Sequence, residues 1–166
     1  MFSKKMQNAL NEQINAELYS AYMYLAMSAY FESVNLRGFA SWMRVQAQEE
    51  TGHAMKIFGF VCERGGKVTL KAIDTPPDEW KSPLDVMQAT YKHEQKVTGL
   101  INKLMDLAIK DNDHATKGFL QWFVDEQVEE EASADEIVQQ LKMIKDSTGA
   151  LFMIDHHLGE RKADSD

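Results

Sequence analysis

The sequence predicts an all-α fold, a four-helix bundle with a long crossover and a short fifth helix. All three prolines lie between residues 76 and 83, shortly after Gly65-Gly66, so the 166-residue chain has one strong break near its middle. On both sides of that break, apolar residues recur at the three- and four-residue spacing of amphipathic helices. This pattern predicts two long helices before the break and two after it.

The joins within each half set the direction of neighbouring helices. The four long helices are predicted at about residues 4–33, 37–64, 84–110 and 114–145. Val34-Asn35-Leu36 joins the first pair, and Asp111-Asn112-Asp113 joins the second. Connections of this length allow only antiparallel neighbours.

The crossover between the two halves, at about residues 65–83, is long for a compact domain. An extended segment of this length spans up to about 60 Å, whereas a helix of about 28 residues is about 42 Å long. The crossover can therefore run the whole length of the bundle, which would make the second and third helices parallel. A surface excursion between antiparallel helices is the alternative.

A short apolar stretch after the fourth helix predicts a fifth helix at about residues 149–158. A helix of about ten residues is marginal on its own, so its apolar residues must pack on their own bundle or against other subunits. These residues are Leu151, Phe152, Ile154 and Leu158. We expect them to contact symmetry-related subunits, and we treat residues 1–166 as one domain.

Composition and charge exclude several classes of protein. Apolar residues make up 44% and charged residues 27% of the chain, and no apolar run is long enough for a membrane helix. The 26 acidic and 18 basic residues give a net charge of −8, which argues against nucleic acid and membranes as partners and favours cations. The first residues lack a signal-peptide core, so we expect a cytoplasmic protein. The single cysteine, Cys62, excludes an internal disulfide and a four-thiolate metal site.

Each long helix carries a carboxylate in the middle of its apolar stripe. At about 100° per residue, these inward acids are Glu17, Glu50, Glu94 and Glu130. His53 follows Glu50 by one turn, on the same face of the second helix. Because all four acids lie near the middle of their helices, they meet at one level of the bundle whichever way the helices run.

The inward acids have no basic residues to neutralise them. No lysine or arginine occupies the central turns of the four stripes. Burying an uncompensated carboxylate costs several kcal/mol, and here that cost would arise four times. We therefore predict that multivalent cations bind among these residues, and two ions are favoured over one. Oxygen ligands with one imidazole suit iron, manganese or zinc, and spacing alone does not choose among them.

Three segments of the chain resemble bacterial-type non-haem ferritins, which are members of the ferritin-like diiron family. The segments are Asn11-Glu12-Gln13-Ile14-Asn15-Ala16-Glu17, Glu49-Glu50-Thr51-Gly52-His53-Ala54 and Gln121-Trp122-Phe123-Val124-Asp125-Glu126-Gln127-Val128-Glu129-Glu130. The resemblance implies a ferritin-like bundle and a hollow homo-oligomeric shell of twenty-four subunits. It also implies a ferroxidase that oxidises Fe(II) with dioxygen or peroxide and stores an Fe(III) oxyhydroxide mineral.

The resemblance also implies roles for the inward residues. Glu17, Glu50 and His53 match the first iron position of the family. Glu50 then bridges to a second iron position, which Glu94 and Glu130 complete. We expect these five residues to be both the iron ligands and the catalytic residues.

Further residues near the fourth helix match less specific positions of the family. Gln127 lies beside the second iron position as a hydrogen-bonding neighbour or weak ligand. Glu49, Glu126 and Glu129, together with Glu130, resemble the third iron site of many bacterial ferritins. A solvated acidic helix face is the alternative explanation for this last group.

Two aromatic residues match positions next to the diiron centre. Tyr24 lies two helical turns after Glu17 on the same face, and Trp122 is close to the predicted ligands of the fourth helix. Both side chains fit aromatic packing. An added role as electron donor is a hypothesis, with Tyr24 the stronger candidate and assigned to the catalytic group.

Other diiron families fit the sequence less well. A haem-binding bacterioferritin has a methionine directly after the glutamate of the second helix, where this chain has Thr51, so we expect no haem. Rubrerythrin needs a four-cysteine iron domain, which a chain with the single cysteine Cys62 cannot form. Diiron oxygenases normally have a second Glu-x-x-His, whereas this chain has Gln127-x-x-Glu130. A helical interaction protein without metal chemistry leaves the unpaired inward acids unexplained.

Overall fold

The computed structural model describes residues 3–163, and within this range it contains five α-helices. They are α1 (Lys4–Ser33), α2 (Arg37–Glu63), α3 (Pro83–Lys110), α4 (His114–Ile144) and α5 (Thr148–Leu158). The all-α fold is confirmed, and each predicted helix end lies within one residue of the observed end. Among the described helices, none combines the length and apolar character needed to cross a membrane.

Side-chain caps fix the beginning of four of the five helices. In each case a serine or aspartate just before the helix accepts a hydrogen bond from a backbone N–H of the first turn. These caps are Ser3, Ser82, Asp113 and Ser147. Pro83 follows Ser82 at the first position of α3, where its fixed φ suits a helix and its missing N–H costs nothing.

The second helix is capped from elsewhere in the chain. Leu36 precedes α2 and has no side chain that can accept a hydrogen bond. The backbone N–H of Phe39 instead donates to Asp155 Oδ1 of α5 at 2.9 Å. A carboxylate at a helix N-terminus also interacts favourably with the helix dipole. The docking of α5 therefore stabilises the start of α2.

The crossover, residues 64–82, runs along the whole length of α1. Near its beginning, the backbone N–H of Lys67 donates to Gln7 Oε1 at 3.0 Å. Near its end, the ring of Trp80 packs edge-on against Tyr30, with the centroids 5.7 Å apart. Between these contacts, side chains of α1 form hydrogen bonds with the crossover backbone. The Asn11 amide donates to the carbonyl of Lys67 and accepts from the N–H of Thr69, and the Asn15 amide donates to the carbonyl of Ala72. The crossover thus reaches from one end of the bundle to the other, as predicted, and α2 and α3 are parallel.

The bundle core is divided into two apolar clusters by a polar layer. Each cluster takes residues from all four long helices. One cluster includes Phe31, Phe39, Met87 and Leu141, and the other includes Leu10, Ile57, Ile101 and Leu120. Between them lie the buried polar residues Glu17, Glu50, His53, Glu94, Gln127 and Glu130. The two clusters therefore hold the polar layer in place from both ends.

The short helix α5 packs on its own bundle and also presents an apolar face outward. Leu158 is buried in the core, and Leu151 and Ile154 pack against the same cluster. In contrast, Phe152 is 56% and Met153 75% exposed. Packing on its own bundle is therefore observed for one side of α5, and contact of the exposed side with other subunits stays a prediction.

We predict that Gly38→Ala will dislodge α5. A Cβ atom at this position would lie 1.6 Å from the backbone oxygen of Asp155, and backbone cannot yield as a flexible side chain can. The variant should lose the contact that caps α2 and should unfold at a lower temperature. Hydrogen exchange of residues 148–158 and thermal unfolding measure the effect.

Gly59→Ala is the matched control within α2. A Cβ at Gly59 meets nothing within 4 Å, so alanine should be neutral or stabilise the helix by roughly 0.5–1 kcal/mol. Equal protection of residues 148–158 in both variants would show that α5 does not depend on the close approach at Gly38.

Candidate metal centre

The first group of potential metal ligands joins α1 to α2. Glu17, Glu50 and His53 each offer one ligand atom, and these atoms lie within 4.8 Å of one another. All three side chains are buried, with Glu17 and Glu50 only 1% exposed. Nδ1 of His53 lies 3.3 Å from Glu50 Oε2. Helical spacing explains the pair on α2, because residues three apart share a face.

A second ligand group lies on the other side of the same imidazole. His53, Glu126 and Glu130 also place one ligand atom each within 4.8 Å of one another. Nε2 of His53 lies 4.0 Å from Glu126 Oε1, so the two ring nitrogens face different carboxylates. A neutral imidazole has one free lone pair, so His53 can be a ligand in only one of the two groups at a time. Sequence reasoning placed Glu126 in a separate third site and did not connect it with His53.

Glu94 is buried at the same level, but hydrogen bonds engage both of its carboxylate oxygens. The Tyr24 hydroxyl donates to Oε1, and Gln127 Nε2 donates to Oε2 at 3.2 Å. Glu94 is fully buried, and it belongs to neither ligand group found among the described residues. Gln127 thus contacts Glu94 as a hydrogen-bond donor. The ligand role of Glu94 at a second iron position stays a prediction.

Two further amides position the carboxylates, and sequence reasoning missed both. Gln13 Nε2 donates to Glu17 Oε1 at 2.8 Å, and Gln46 Nε2 donates to Glu130 Oε2 at 2.9 Å. Both glutamines are buried. Spacing was a signal for Gln13, which lies one turn before Glu17, but not for Gln46, whose partner Glu130 is on another helix. Neutral amides orient a carboxylate without cancelling its charge.

No described lysine or arginine pairs with the buried carboxylates of this layer. Within residues 3–163, Glu17, Glu50, Glu94 and Glu130 form no ion pair with lysine or arginine. Oε2 of Glu17 and Oε2 of Glu50 are buried and accept no hydrogen bond from any described residue. Unsatisfied buried oxygens of this kind are costly unless a cation binds them.

Burial also shifts the titration of these groups. Desolvation, followed by repulsion from Glu17, Glu94 and Glu130, raises the pKa of Glu50 well above its usual range. Desolvation is also the main cause that raises the pKa values of Glu94 and Glu130 to about 7. The metal-free centre therefore retains protons near neutral pH, and a bound cation must displace them.

The remaining predicted ligands lie toward the surface. Glu49 pairs with Arg161, whose Nη2 donates to Glu49 Oε2 at 2.6 Å. Glu129 is exposed, and neither Glu49 nor Glu129 falls in a ligand group within the described part of the chain. The structure thus brings only Glu126 and Glu130 of the predicted third site together with His53.

The two aromatic candidates differ in their surroundings. Tyr24 is fully buried, and desolvation together with the charges of Glu94 and Glu50 raises its pKa well above the usual range. Trp122 packs edge-on against His53 with the centroids 5.3 Å apart, and it is 37% exposed. Nζ of Lys56 lies 3.4 Å from the Trp122 ring centroid. Tyr24 thus contacts a carboxylate of the centre directly, whereas Trp122 contacts the imidazole.

Comparisons with known proteins agree with this architecture. The family model of the ferritin-like domain matches residues 7–144. The bacterial non-heme ferritin of Bacteroides fragilis is 46% identical over 161 residues, which cover 97% of this chain and all of that protein. The bacterial non-heme ferritin of Staphylococcus aureus is 37% identical over 166 residues, covering both chains completely.

Solved structures give the same result. An open-pore ferritin from the archaeon Archaeoglobus fulgidus is 54% identical, with a TM-score of 0.96 over 97% of this chain and 98% of that one. A closed form of the Archaeoglobus fulgidus ferritin, engineered by mutagenesis, is 53% identical, with a TM-score of 0.98 over 99% of this chain and all of that one.

We predict that the metal-free protein will lose thermal stability as the pH rises from about 5 to about 8. The folded pKa values of Glu94 and Glu130 are about 7, against 4.5 for an ordinary glutamate, so the folded chain keeps protons that the unfolded chain loses. This stabilisation is complete below about pH 4.5 and is lost as the pH passes through 7. The melting temperature of chelator-treated protein measures it, at roughly 2–4 °C for each kcal/mol.

Glu130→Gln should flatten this pH dependence, because the amide does not titrate. Glu136→Gln, at an exposed position of α4, is the matched control and should keep the parent slope. Equal slopes in all three proteins would contradict the assignment of the pH dependence to the buried carboxylates.

Proposed function

The chain belongs to the ferritin family of iron-storage proteins, and we propose that it is a ferroxidase that oxidises Fe(II) with dioxygen or peroxide. The observation that carries this proposal is the layer of four buried glutamates, in which Glu17 and Glu50 form a ligand group with His53 and each have an unsatisfied buried oxygen. Iron is the substrate of this reaction, and the protein supplies the ligands that bring two ions together. The proposed compartment is the cytoplasm, and we propose residues 1–166 as a single domain.

The first Fe(II) position is assigned to Glu17, Glu50 and His53. Two carboxylates and a neutral imidazole suit Fe(II), and the unsatisfied oxygens of Glu17 and Glu50 are available to bind it. The second position is assigned to Glu50, Glu94 and Glu130, with Glu50 as the bridge. Charge repulsion supports the closeness of these acids, because Glu94 and Glu130 both contribute to the raised pKa of Glu50, and Glu94 contributes to the raised pKa of Glu130.

The hydrogen bonds around Glu94 support a second position that is looser than the first. To bind iron, Glu94 must share or release the hydrogen bonds from Tyr24 and Gln127. The second position also has only oxygen ligands, which hold Fe(II) less tightly than a set that includes imidazole. A weak second position suits a storage protein, because the oxidised product must leave before further iron can react.

Pairing the two ions supplies the electrons that the oxidant needs. Two Fe(II) ions give two electrons to dioxygen, which takes up two protons and becomes hydrogen peroxide. If peroxide is the oxidant, two electrons and two protons convert it to water. In both cases the iron becomes Fe(III), and two-electron transfer avoids the release of one-electron radical products.

Storage of the product requires an enclosed space, and we propose a hollow homo-oligomeric shell of twenty-four subunits. The exposed Phe152 and Met153 of α5 support this proposal, because they form an apolar face that their own bundle leaves uncovered. The Fe(III) product then moves into the shell and forms an oxyhydroxide mineral there.

We predict that Glu50→Ala will abolish fast Fe(II) oxidation while the fold is retained. The variant removes the bridge between the two positions, and the rapid phase should slow by about a hundredfold or more. Stopped-flow absorbance after mixing with limiting Fe(II) in air measures the rate. The parent should rapidly oxidise about two Fe(II) ions per subunit before slow mineral growth.

Glu136→Ala is the control, since Glu136 is exposed on α4 and lies outside both ligand groups. Its rapid phase should equal that of the parent. An unchanged rapid phase in Glu50→Ala would rule out the dinuclear assignment.

We predict that the double substitution Phe152→Ser and Met153→Ser will weaken assembly without unfolding the bundle. Both side chains point away from the core, so the polar replacements remove only contacts between chains. Light scattering should show smaller species, and less iron should be retained per subunit. Val128→Ser, at another exposed position of the bundle, is the control. A monomeric parent would contradict the shell itself.

A further inference from the structure

A pocket beside His53 opens between α2 and α4 and is partly closed by the chain that follows α5. Its volume is about 320 Å³. The lining includes acidic, basic and aromatic side chains together with the end of the described chain: Glu49, His53, Lys56, Trp122, Glu126 and Ala163. The pocket is therefore a route between the second ligand group and the surface, and the C-terminal segment lies at its mouth.

The position of this segment is fixed by α5. The backbone N–H groups of Glu160 and Arg161 donate to the carbonyls of His157 and Leu158, at 3.1 and 3.3 Å, so the chain turns tightly after the helix. Leu158 is buried in the core. The Arg161 guanidinium lies over the ring of Trp42, with Cζ 4.6 Å from the centroid. Arg161 is thus held against α2 by packing as well as by charge.

Arg161 neutralises one carboxylate of the pocket. Its Nη2 donates to Glu49 Oε2 at 2.6 Å, and the two side chains are only 26% and 16% exposed. Partial burial makes this charge-assisted hydrogen bond stronger than an exposed ion pair. Nη1 of Arg161 is buried without a hydrogen-bond partner among the described residues. The guanidinium is therefore only half satisfied, which lowers the cost of moving it.

Glu49 also lies close to the second ligand group. It lines the same pocket as His53 and Glu126, which form that group with Glu130. A cation in the pocket would be attracted to Glu49, but Arg161 already supplies positive charge there. Lys56, the other basic side chain of the pocket lining, lies over the Trp122 ring.

We propose that Arg161 is a positioning residue that controls cation binding in this pocket. Its guanidinium is paired with Glu49, and an additional iron ion would have to take its place there. Iron passing from the dinuclear centre toward the pocket must displace Arg161 from Glu49. This inference rests on the proposed function, since it concerns iron that the centre has bound.

The test is anaerobic titration of the metal-free protein with Fe(II) by calorimetry, which counts ions bound per subunit and gives their affinities. Arg161→Ala should bind an additional ion beyond the first two about tenfold more tightly than the parent, because a positive charge has been removed next to its ligands. Arg161→Lys keeps the charge and should remain close to the parent. Lys162→Ala, an exposed neighbour in the same segment, is the matched control and should also match the parent.

Two further variants separate charge from structure. Arg161→Gln keeps most of the side-chain length and should show the same gain as alanine, so a misfolded alanine variant alone does not decide the result. Adding Glu49→Gln to Arg161→Ala should abolish the gain, since the carboxylate that attracts the additional ion is then absent. A purely structural role for Arg161 would give no dependence on Glu49 and no rescue by lysine.

The outcomes distinguish this inference from the proposed function. If the parent binds two Fe(II) ions but the affinity for the additional ion is the same in the parent, Arg161→Ala and Arg161→Gln, the role of Arg161 is refuted and the dinuclear centre stands. If the parent binds no Fe(II) at all, the proposed function fails, and this inference fails with it.

Discussion

Four glutamates at one level of an apolar bundle, with no basic residue beside them, are the constraint on which the rest of this structure depends. Glu17, Glu50, Glu94 and Glu130 come from four different helices and are all buried. Their mutual repulsion and lost hydration oppose folding in the absence of a cation. The two apolar clusters on either side of the layer must supply the stability that the layer itself does not.

The groups that surround the acids orient them without neutralising them. Gln13, Gln46 and Gln127 each donate an amide hydrogen to a different glutamate, and Tyr24 donates its hydroxyl to Glu94. Lysines in these places would have satisfied the charges permanently and excluded metal ions. Neutral donors leave the carboxylates free to exchange a proton for a cation, so the same arrangement that weakens the metal-free fold is suited to binding cations.

The short helix α5 connects the ends of the bundle to this centre. Asp155 caps α2, Leu158 enters the core, and the turn that follows brings Arg161 over Trp42 to Glu49. One short helix therefore takes part in folding, in the apolar face proposed for assembly, and in the charge balance of the pocket beside His53. The close approach of α5 to α2 at Gly38 makes all three possible.

The sequence by itself determined the helices, the antiparallel direction of the two helices within each half and the inward carboxylates, because helical periodicity fixes which residues share a face and short joins fix antiparallel pairs. Only the tertiary structure decided which acids share a ligand group. It placed Glu126 with His53 and Glu130, and it paired Glu49 with Arg161. Glu94 lies outside both ligand groups and accepts a hydrogen bond from Gln127. These contacts depend on the stagger and rotation of one helix against another and on side-chain rotamers, and the periodicity of a single sequence contains neither.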